Sequence, residues 1–351
     1  MTHLWIRAES RANEERVGIT PEGVAKLVAK GFHVTIEDSA TRIMPSAPFV
    51  AAGAELAEEG SWPEAPQDAI IFGLKELPEA DTPLIHRHIM FGHAYKGQEA
   101  GARLLQRFAA GGGALYDLEY LVEENGRRVA AFGYWAGYAG AAVSLFAWAA
   151  QKQGGTCPPV STWPNSESLQ TELKAALDRA SSERPNAIVI GAMGRVGTGA
   201  RDLCKQMGVV TTDWDMAETA SGGPFPQILE HDLFFNCILA APGCPVFVPA
   251  SAKTDLRRLA VIGDIACDPQ SEFSPVKVYD LETTWTNPVT RAYDAPPLDV
   301  MAIDNLPSLL PLESSEDFAG QLLPHLETLD DLDGGVWGRA FDTYSQHKPE
   351  V

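Results

Sequence analysis

Basic residues are scarce in this sequence. Its 351 residues include 27 Lys and Arg against 47 Asp and Glu, a formal net charge of -20 at pH 7. A chain this acidic repels phosphate backbones and anionic headgroups, which excludes a nucleic-acid binder or a binder of acidic membranes. Cysteine is also sparse. The five present (Cys157, Cys204, Cys237, Cys244, Cys267) form no CxxC pair. That excludes a cysteine zinc site and a disulfide framework, and the odd count fits a reducing compartment. Glycine and proline show no period, so collagen-like and repeat architectures are excluded, and no low-complexity tract is present. The opening MTHLWIRAES lacks the basic flank and apolar run of a secretory leader, so the expected location is the cytoplasm. Residues 129–150 form a charge-free run long enough to span a bilayer. Its aromatics are scattered instead of gathered at two interfaces, and the expectation is a buried helix between two domains.

What is present is an α/β rhythm. The length predicts two domains at roughly 100–200 residues each. HLWIRAE reads as a strand. Thr20 then caps a helix with Pro21 at its first position, ending at Gly31, and FHVTIED is the next strand. DAIIFGLKE, HIMFGHAY and GALYDLE are short apolar runs, with the helix QEAGARLLQRFAAGGG before the last. Residues 154–166 read as a loop and 167–182 as a helix capped near Ser166. LFFNCIL, LAVIGDI and VKVYDL are expected to extend a second sheet, and 314–326 and 336–347 to be helices. Strand–helix alternation implies open parallel sheets, which bind ligands at the carboxyl ends of their strands. Lys75, His93 and Glu119 each lie just past an apolar run, and are read as one site.

The sharpest local pattern is NAIVI followed by Gly191-Ala192-Met193-Gly194-Arg195-Val196-Gly197. A strand running into a glycine turn and a helix brings backbone N–H groups and the helix dipole to a pyrophosphate. The spacing is GxxGxxG, not GxGxxG. Asp215 lies 24 residues beyond Gly191, near the offset at which a carboxylate reaches the adenosine ribose and repels a 2′-phosphate. The reading is a dinucleotide site, with NAD as cofactor.

Among candidate catalytic groups, Lys75 ends an apolar strand, where burial lowers a lysine pKa toward the range of a working base. His86, His88 and His93 give H-x-H-x4-H, but no further ligand pattern accompanies them, so no metal is assigned. His93 is read as a single acid–base histidine. Arg16, Arg127 and Arg128 are guanidinium forks that an acidic protein needs for an anionic substrate. Asp304, a carboxylate within an apolar run, is either a ligand contact or a helix cap.

Several stretches taken together carry a resemblance. RAESRANEERVGITP, GLKELPEADTPLIHRHIMFGHAYKGQ, LYDLEYLVEENGRRVAAFGYWAGYAGAA, IGAMGRVGTGA, DWDMAETASGGPF and IDNLPSLLPLESSEDF resemble, in order and over nearly the whole chain, the NAD-dependent, lysine-forming saccharopine dehydrogenases. Alanine dehydrogenase and the NAD-binding part of transhydrogenase are the wider relatives. The resemblance implies two Rossmann-like domains with parallel sheets flanking an inter-domain cleft. A discontinuous substrate-side domain would take residues 1–132 and 311–351, and the NAD domain 133–310. It implies oxidation of saccharopine to lysine and 2-oxoglutarate through an imine, by a monomer or small homo-oligomer that binds neither nucleic acid nor membrane. Lys75 would be the base on the secondary amine and His93 the acid–base group for imine hydrolysis. Arg16, Gln98, Arg128 and Phe132 would line the substrate. Arg127, Gly194, Arg195, Asp215, Thr219, Ile265, Ala266, Asp268, Ile303, Asp304, Asn305 and Leu306 would surround NAD.

The chain departs from the family at three points. Fungal members carry a loop cysteine able to pair with the counterpart of Cys237, where this chain has Val196. A family histidine is Asn305 here, and a cofactor-side tyrosine is Leu239. Two other readings compete. The RVGITP start fits an alanine-dehydrogenase-like or opine-type enzyme acting on another amino acid. A non-catalytic NAD sensor would have no use for Lys75 and His93.

Overall fold

The computed structural model describes residues 1–349. It divides into two compact units, one of Met1–Ala131 with the chain from Pro311 onward, the other of Phe132–Leu310.

The first unit begins with β1 (His3–Ile6), α1 (Pro21–Ala29), β2 (His33–Glu37), α2 (Ser46–Ala51) and β3 (Glu55–Ala57). It continues with β4 (Ile70–Phe72), β5 (Arg87–Met90), α3 (Glu99–Gly111) and β6 (Ala114–Asp117). Thr20 caps α1 as its sequence predicts, its Oγ1 accepting from Gly23 N at 3.2 Å with Pro21 in the first turn. α3 stops at Gly112, whose φ of 76° is the left-handed conformation glycine adopts without strain. The strands form one sheet in the order β3-β2-β1-β4-β5-β6, and every pairing is parallel. The order reverses direction between β1 and β4. Register sets Ile6 beside Phe72, Phe72 beside Ile89, and Ile89 beside Tyr116. The chain therefore leaves β1, β4, β5 and β6 along one edge of the sheet.

The second unit opens with α4 (Gly133–Lys152) and α5 (Ser166–Ala180). The α5 cap is Asn165, not Ser166: its side chain accepts from Ser168 N at 2.9 Å, because asparagine's carbonyl reaches the third N–H from one position earlier. β7 (Asn186–Ile190), α6 (Arg195–Gln206), β8 (Val210–Trp214), α7 (Met216–Thr219), β9 (Leu233–Asn236) and β10 (Val261–Asp264) follow, then β11 (Thr290–Asp294) and β12 (Pro297–Met301). The sheet runs β11-β12-β10-β9-β7-β8. It is not wholly parallel, since β11 pairs antiparallel to β12 through a short hairpin. VKVYDL also departs from expectation. It makes one isolated bridge, Val248 with Val276, while Val276 and Val278 are buried beneath the sheet. An apolar run of this length serves a packed loop as readily as a strand.

The strands of this sheet alternate in period two. Ala187, Val189, Leu233, Phe235, Val261 and Met301 face α4, whereas Ile188, Ile190, Phe234, Ile262 and Val300 line the opposite core. From Gly133 onward the charge-free run is therefore a helix packed within this unit, and no helix among the described residues is long and apolar enough to cross a membrane. α4 meets α6 almost backbone to backbone. A Cβ on Gly137 would lie 1.8 Å from Val196 O, and one on Gly199 would lie 1.9 Å from Tyr134 O. Two helices, α8 (Pro311–Leu326) and α9 (Gly335–His347), then complete the first unit. Ser315 Oγ of α8 accepts from Val17 N, and Tyr344 OH of α9 donates to Gly113 O, both at 3.0 Å.

Candidate active site

In the first unit the candidate residues gather where β1, β4, β5 and β6 end. Lys75 lies three residues past β4 and is half-buried. Burial lowers its pKa first, and the positive charge of Arg16 lowers it further. Arg11 acts in the same direction, while Glu14 and Glu76 oppose it. Arg16 is buried. Its Nε and Nη2 donate to the two oxygens of Glu14 at 2.7 and 2.6 Å. Burial alone would raise Glu14, but the charge and hydrogen bonds of Arg16, with Lys75 adding to them, hold it below the usual carboxylate range.

His93 lies past β5 at φ +48°, a left-handed conformation rare for a side chain of this size. Its Nδ1 stands 3.7 Å from Glu119 Oε2. Glu119 also accepts from Lys96 Nζ at 2.9 Å and lies 4.0 Å from Arg128 Nη2. His93 first, then Lys96 and Arg128, outweigh partial burial and bring the Glu119 carboxyl down to about 2. Asp117, fully buried at the end of β6, accepts from Gly92 N at 3.2 Å and Glu119 N at 2.9 Å. Burial pushes it up to about 6 even so. Gln98 is the exposed residue before α3. It shares with His93, Arg11, Glu76, Arg103 and Arg107 the wall of a cavity of about 770 Å³. Arg127 and Arg128 are exposed on a short antiparallel turn closed by Glu123 N donating to Arg127 O at 2.8 Å. The three-histidine pattern disperses: His86 Nε2 bonds Ala65 O at 3.0 Å, and His88 is buried between Trp62 and Phe108. No cluster of three or more metal-type ligands occurs among the described residues.

In the second unit, β7 runs into the glycine turn, and Gly194 occupies the cap position of the 12-residue helix α6. Gly191 has φ +85°, and a Cβ on it would strike Ile238 Cγ2 at 2.5 Å. A Cβ on Gly197 would lie 2.2 Å from Gly191 O. These two glycines fold the turn. Gly194 is exposed; its N–H donates to Gly191 O at 3.2 Å, and a Cβ there would meet nothing closer than 3.4 Å. Arg195 is the first residue of α6. Asp213 is committed to Arg201 Nε at 2.7 Å. Asp215, one residue past β8, accepts from Met193 N of the glycine turn at 3.0 Å and from Met216 N at 2.9 Å. With Glu218 it forms a reciprocal cap on α7, and Thr219 Oγ1 donates to its carbonyl. The structure thus distinguishes the two aspartates that flank Trp214.

The remaining candidates follow β10 and β12. Ile265 is buried, Ala266 half-buried and Asp268 exposed. Ile303 and Leu306 are buried on either side of exposed Asp304. Asp304 is not a cap: the short helical turn after it starts from Asn305, whose side chain donates instead to Ser308 Oγ at 2.7 Å. Phe132 precedes α4. Sequence reasoning missed the buried Asp264. Its carboxylate accepts from Asn236 Nδ2 at 2.9 Å and Tyr279 OH at 2.7 Å, and burial raises its pKa despite both bonds. Lys96, Glu14, Arg7 and Glu9 were missed too. The side chains of Glu14, Arg7 and Glu9 are buried by the fold, whereas Lys96 stays exposed and is singled out only by its contact with Glu119. All five cysteines are free thiols, and burial pushes Cys204 up to about 12.

Two doubly wound units, with a glycine turn joined to a carboxylate in one and a lysine and histidine at strand ends in the other, define the class of two-unit dehydrogenases. Comparison with known proteins agrees. The family described as "Alanine dehydrogenase/PNT, N-terminal domain" matches residues 5–139. The solved structure of an L-alanine dehydrogenase superposes with a TM-score of 0.69 at 19% identity, over 99% of this chain and 94% of that one, a likeness of fold. A Schizosaccharomyces pombe protein named saccharopine dehydrogenase [NAD(+), L-lysine-forming] is 44% identical across 97% of both chains. A Neurospora crassa protein of the same name is 45% identical across 98% of this chain and 96% of its own. The chain belongs to the family of NAD-dependent, L-lysine-forming saccharopine dehydrogenases.

Proposed function

We propose that this chain catalyses the reversible NAD-dependent oxidation of saccharopine, with water, to L-lysine and 2-oxoglutarate. Membership of the family carries the reading, and Lys75, His93 and Glu119 at neighbouring strand ends are the chemistry it requires. The exposed backbone at Gly194 and the start of α6 suit the pyrophosphate of NAD, and Asp215 suits the adenosine ribose, because each carboxylate oxygen keeps a lone pair beyond its backbone bond. Arg127, Arg195, Thr219, Ile265, Ala266, Asp268 and residues 303–306 are assigned to the same cofactor. Bound NAD supplies the hydride acceptor.

Lys75, with its lowered pKa, accepts the proton of the secondary amine, freeing the nitrogen lone pair to form the imine as hydride leaves the neighbouring carbon. His93 then takes one proton from water as its oxygen attacks the imine carbon and passes it to nitrogen, giving the carbinolamine. It next takes the hydroxyl proton and passes that to nitrogen as the carbon–nitrogen bond breaks, leaving the ketone and the amine. Glu119, ionised near neutrality, stabilises the imidazolium between these two steps. Arg128, Gln98 and Phe132 line the substrate, whose three carboxylates call for such donors. Arg16, held by Glu14, keeps positive charge beside Lys75.

The test is NADH oxidation with lysine and 2-oxoglutarate, run beside pyruvate with ammonia. Turnover in the first mixture alone is expected. Faster turnover in the second would assign the chain to alanine-dehydrogenase-like chemistry, and NADH binding without turnover in any mixture would make it a sensor.

A further inference from the structure

Leaving β1, the chain buries an ion pair that the chemistry above does not use. The side chains of Arg7 and Glu9 are 2% and 7% exposed, and Arg7 Nη1 lies 3.3 Å from Glu9 Oε2. A buried ion pair is a poor source of stability, since desolvating both charges offsets their attraction, and apolar residues would fill the space as well. What apolar residues could not do is grip a polar backbone. Glu9 Oε1 accepts from Leu74 N at 2.6 Å, and Oε2 accepts from Lys75 N at 3.0 Å. Arg7 Nη2 donates to Lys75 O, and Arg7 Nη1 donates to Ala8 O at 3.2 Å. One ion pair thus takes both the N–H and the C=O of Lys75. A third hold comes from Phe91 N, which donates to Leu74 O at 2.8 Å. Gly73 makes room for this arrangement, because a Cβ there would lie 2.4 Å from Arg7 Nε.

We propose that Arg7 and Glu9 are positioning residues for Lys75: together they fix the peptide from which its side chain projects. The inference rests on Lys75 being the base of the proposed reaction. Regular structure cannot supply this rigidity, since β4 ends at Phe72 and the chain runs without helix or strand to β5. The lever is long. Tilting the peptide by about 10° moves an ammonium about 6 Å away by about 1 Å, a displacement that costs on the order of a hundredfold in rate.

The experiment compares Glu9→Gln, Arg7→Lys and Gly73→Ala in the full chain, each checked for folding by circular dichroism. Gly73→Ala crowds the guanidinium without removing either charge, and keeps the question open should a charge variant fail to fold. Glu9→Gln should lower kcat at least tenfold, leave the Kd for NADH within twofold, and shift the pH limb of kcat that belongs to Lys75. Hydrogen exchange at the Lys75 amide should quicken at least tenfold. In a Lys75→Met background, Glu9→Gln should have no further effect on residual turnover. An unchanged exchange rate, or quickened exchange with kcat and its pH limb unmoved, overturns the positioning role. An equal fall in kcat with and without Lys75 also overturns it. Full turnover by Lys75→Met alone instead removes the reading of Lys75 as the base, an outcome separate from the others because the exchange measurement still reports the hold on the peptide.

Discussion

The carboxylate of Asp215 accepts a hydrogen bond from Met193 N at 3.0 Å, so the acid just past β8 is built into the glycine turn that follows β7. The two strands are parallel neighbours, with Ile190 beside Trp214, which brings the turn and the acid to the same edge. One side chain therefore shapes the turn and presents an acceptor beyond it.

Asp215→Ala should weaken NADH binding about tenfold or more, because it removes the ribose acceptor and frees the Met193 amide together. Loss of the α7 cap adds about 1 kcal/mol of local destabilisation. Asp215→Asn should bind NADH better than Asp215→Ala, and discriminate less against NADPH than the parent. Fluorescence titration with both nucleotides checks this. Equal NADH affinity in the parent and Asp215→Ala would remove Asp215 from the cofactor site.

Lys75→Met should lower turnover about a hundredfold or more, to a small measurable residue, while NADH still binds. In the parent, the limb of kcat that reports Lys75 should fall below the ordinary lysine value, because burial and Arg16 both disfavour its charged form. Removing Glu14 should lower that limb further, since its carboxylate is what opposes Arg16. Initial rates from pH 6 to 10 test both statements.

Asp117 makes stability depend on pH in an unusual direction. Its folded pKa of about 6 stands above the ordinary 3.8, so between those values the folded state binds more protons than the unfolded. Stability from this group is present at low pH and is lost as pH rises through the window, by about 3 kcal/mol at most. Asp117→Asn keeps the shape and cannot ionise. The stability difference, parent minus variant, should therefore fall between pH 4 and pH 6.5 in urea titrations. A difference that is flat with pH would mean Asp117 is not the group responsible.

Gly199→Ala should destabilise the second unit by about 2 kcal/mol or more, because its Cβ would need space held by the Tyr134 carbonyl. Gly320→Ala, on α8 with nothing within 4 Å, is the control and should leave stability unchanged or slightly raised. Chemical denaturation of both variants distinguishes a packing demand from the general cost of altering a helical glycine.

Much of the fold was legible because its signals are local. The Thr20-Pro21 start of α1, the glycine stop after α3 and the strand–turn–helix around Gly194 each depend on neighbouring residues and backbone preference. The apolar runs ending at Lys75, His93 and Glu119 gave strand ends for the same reason. Where two structures share one local pattern, the reading failed: VKVYDL is as apolar as a strand but packs as loop, and β11 turns back antiparallel.

Acidic composition, the order of apolar runs and the family motifs were determined by the sequence alone, since each is a property of residue identity or short spacing. Tertiary structure decided which charges are buried and whom they meet. Asp213 and Asp215 both flank Trp214, yet one pairs with Arg201 and the other with the glycine turn, a division of contacts that only the fold sets. Arg16 reads as a free fork, but the fold closes it on Glu14. Arg7 and Glu9 carry no signal in the sequence beyond ending a strand-like run; they become an ion pair on the Lys75 peptide once β1 and β4 are neighbours. A buried charge is defined by its desolvation and its partners, and both come from segments distant in the chain that only folding brings together.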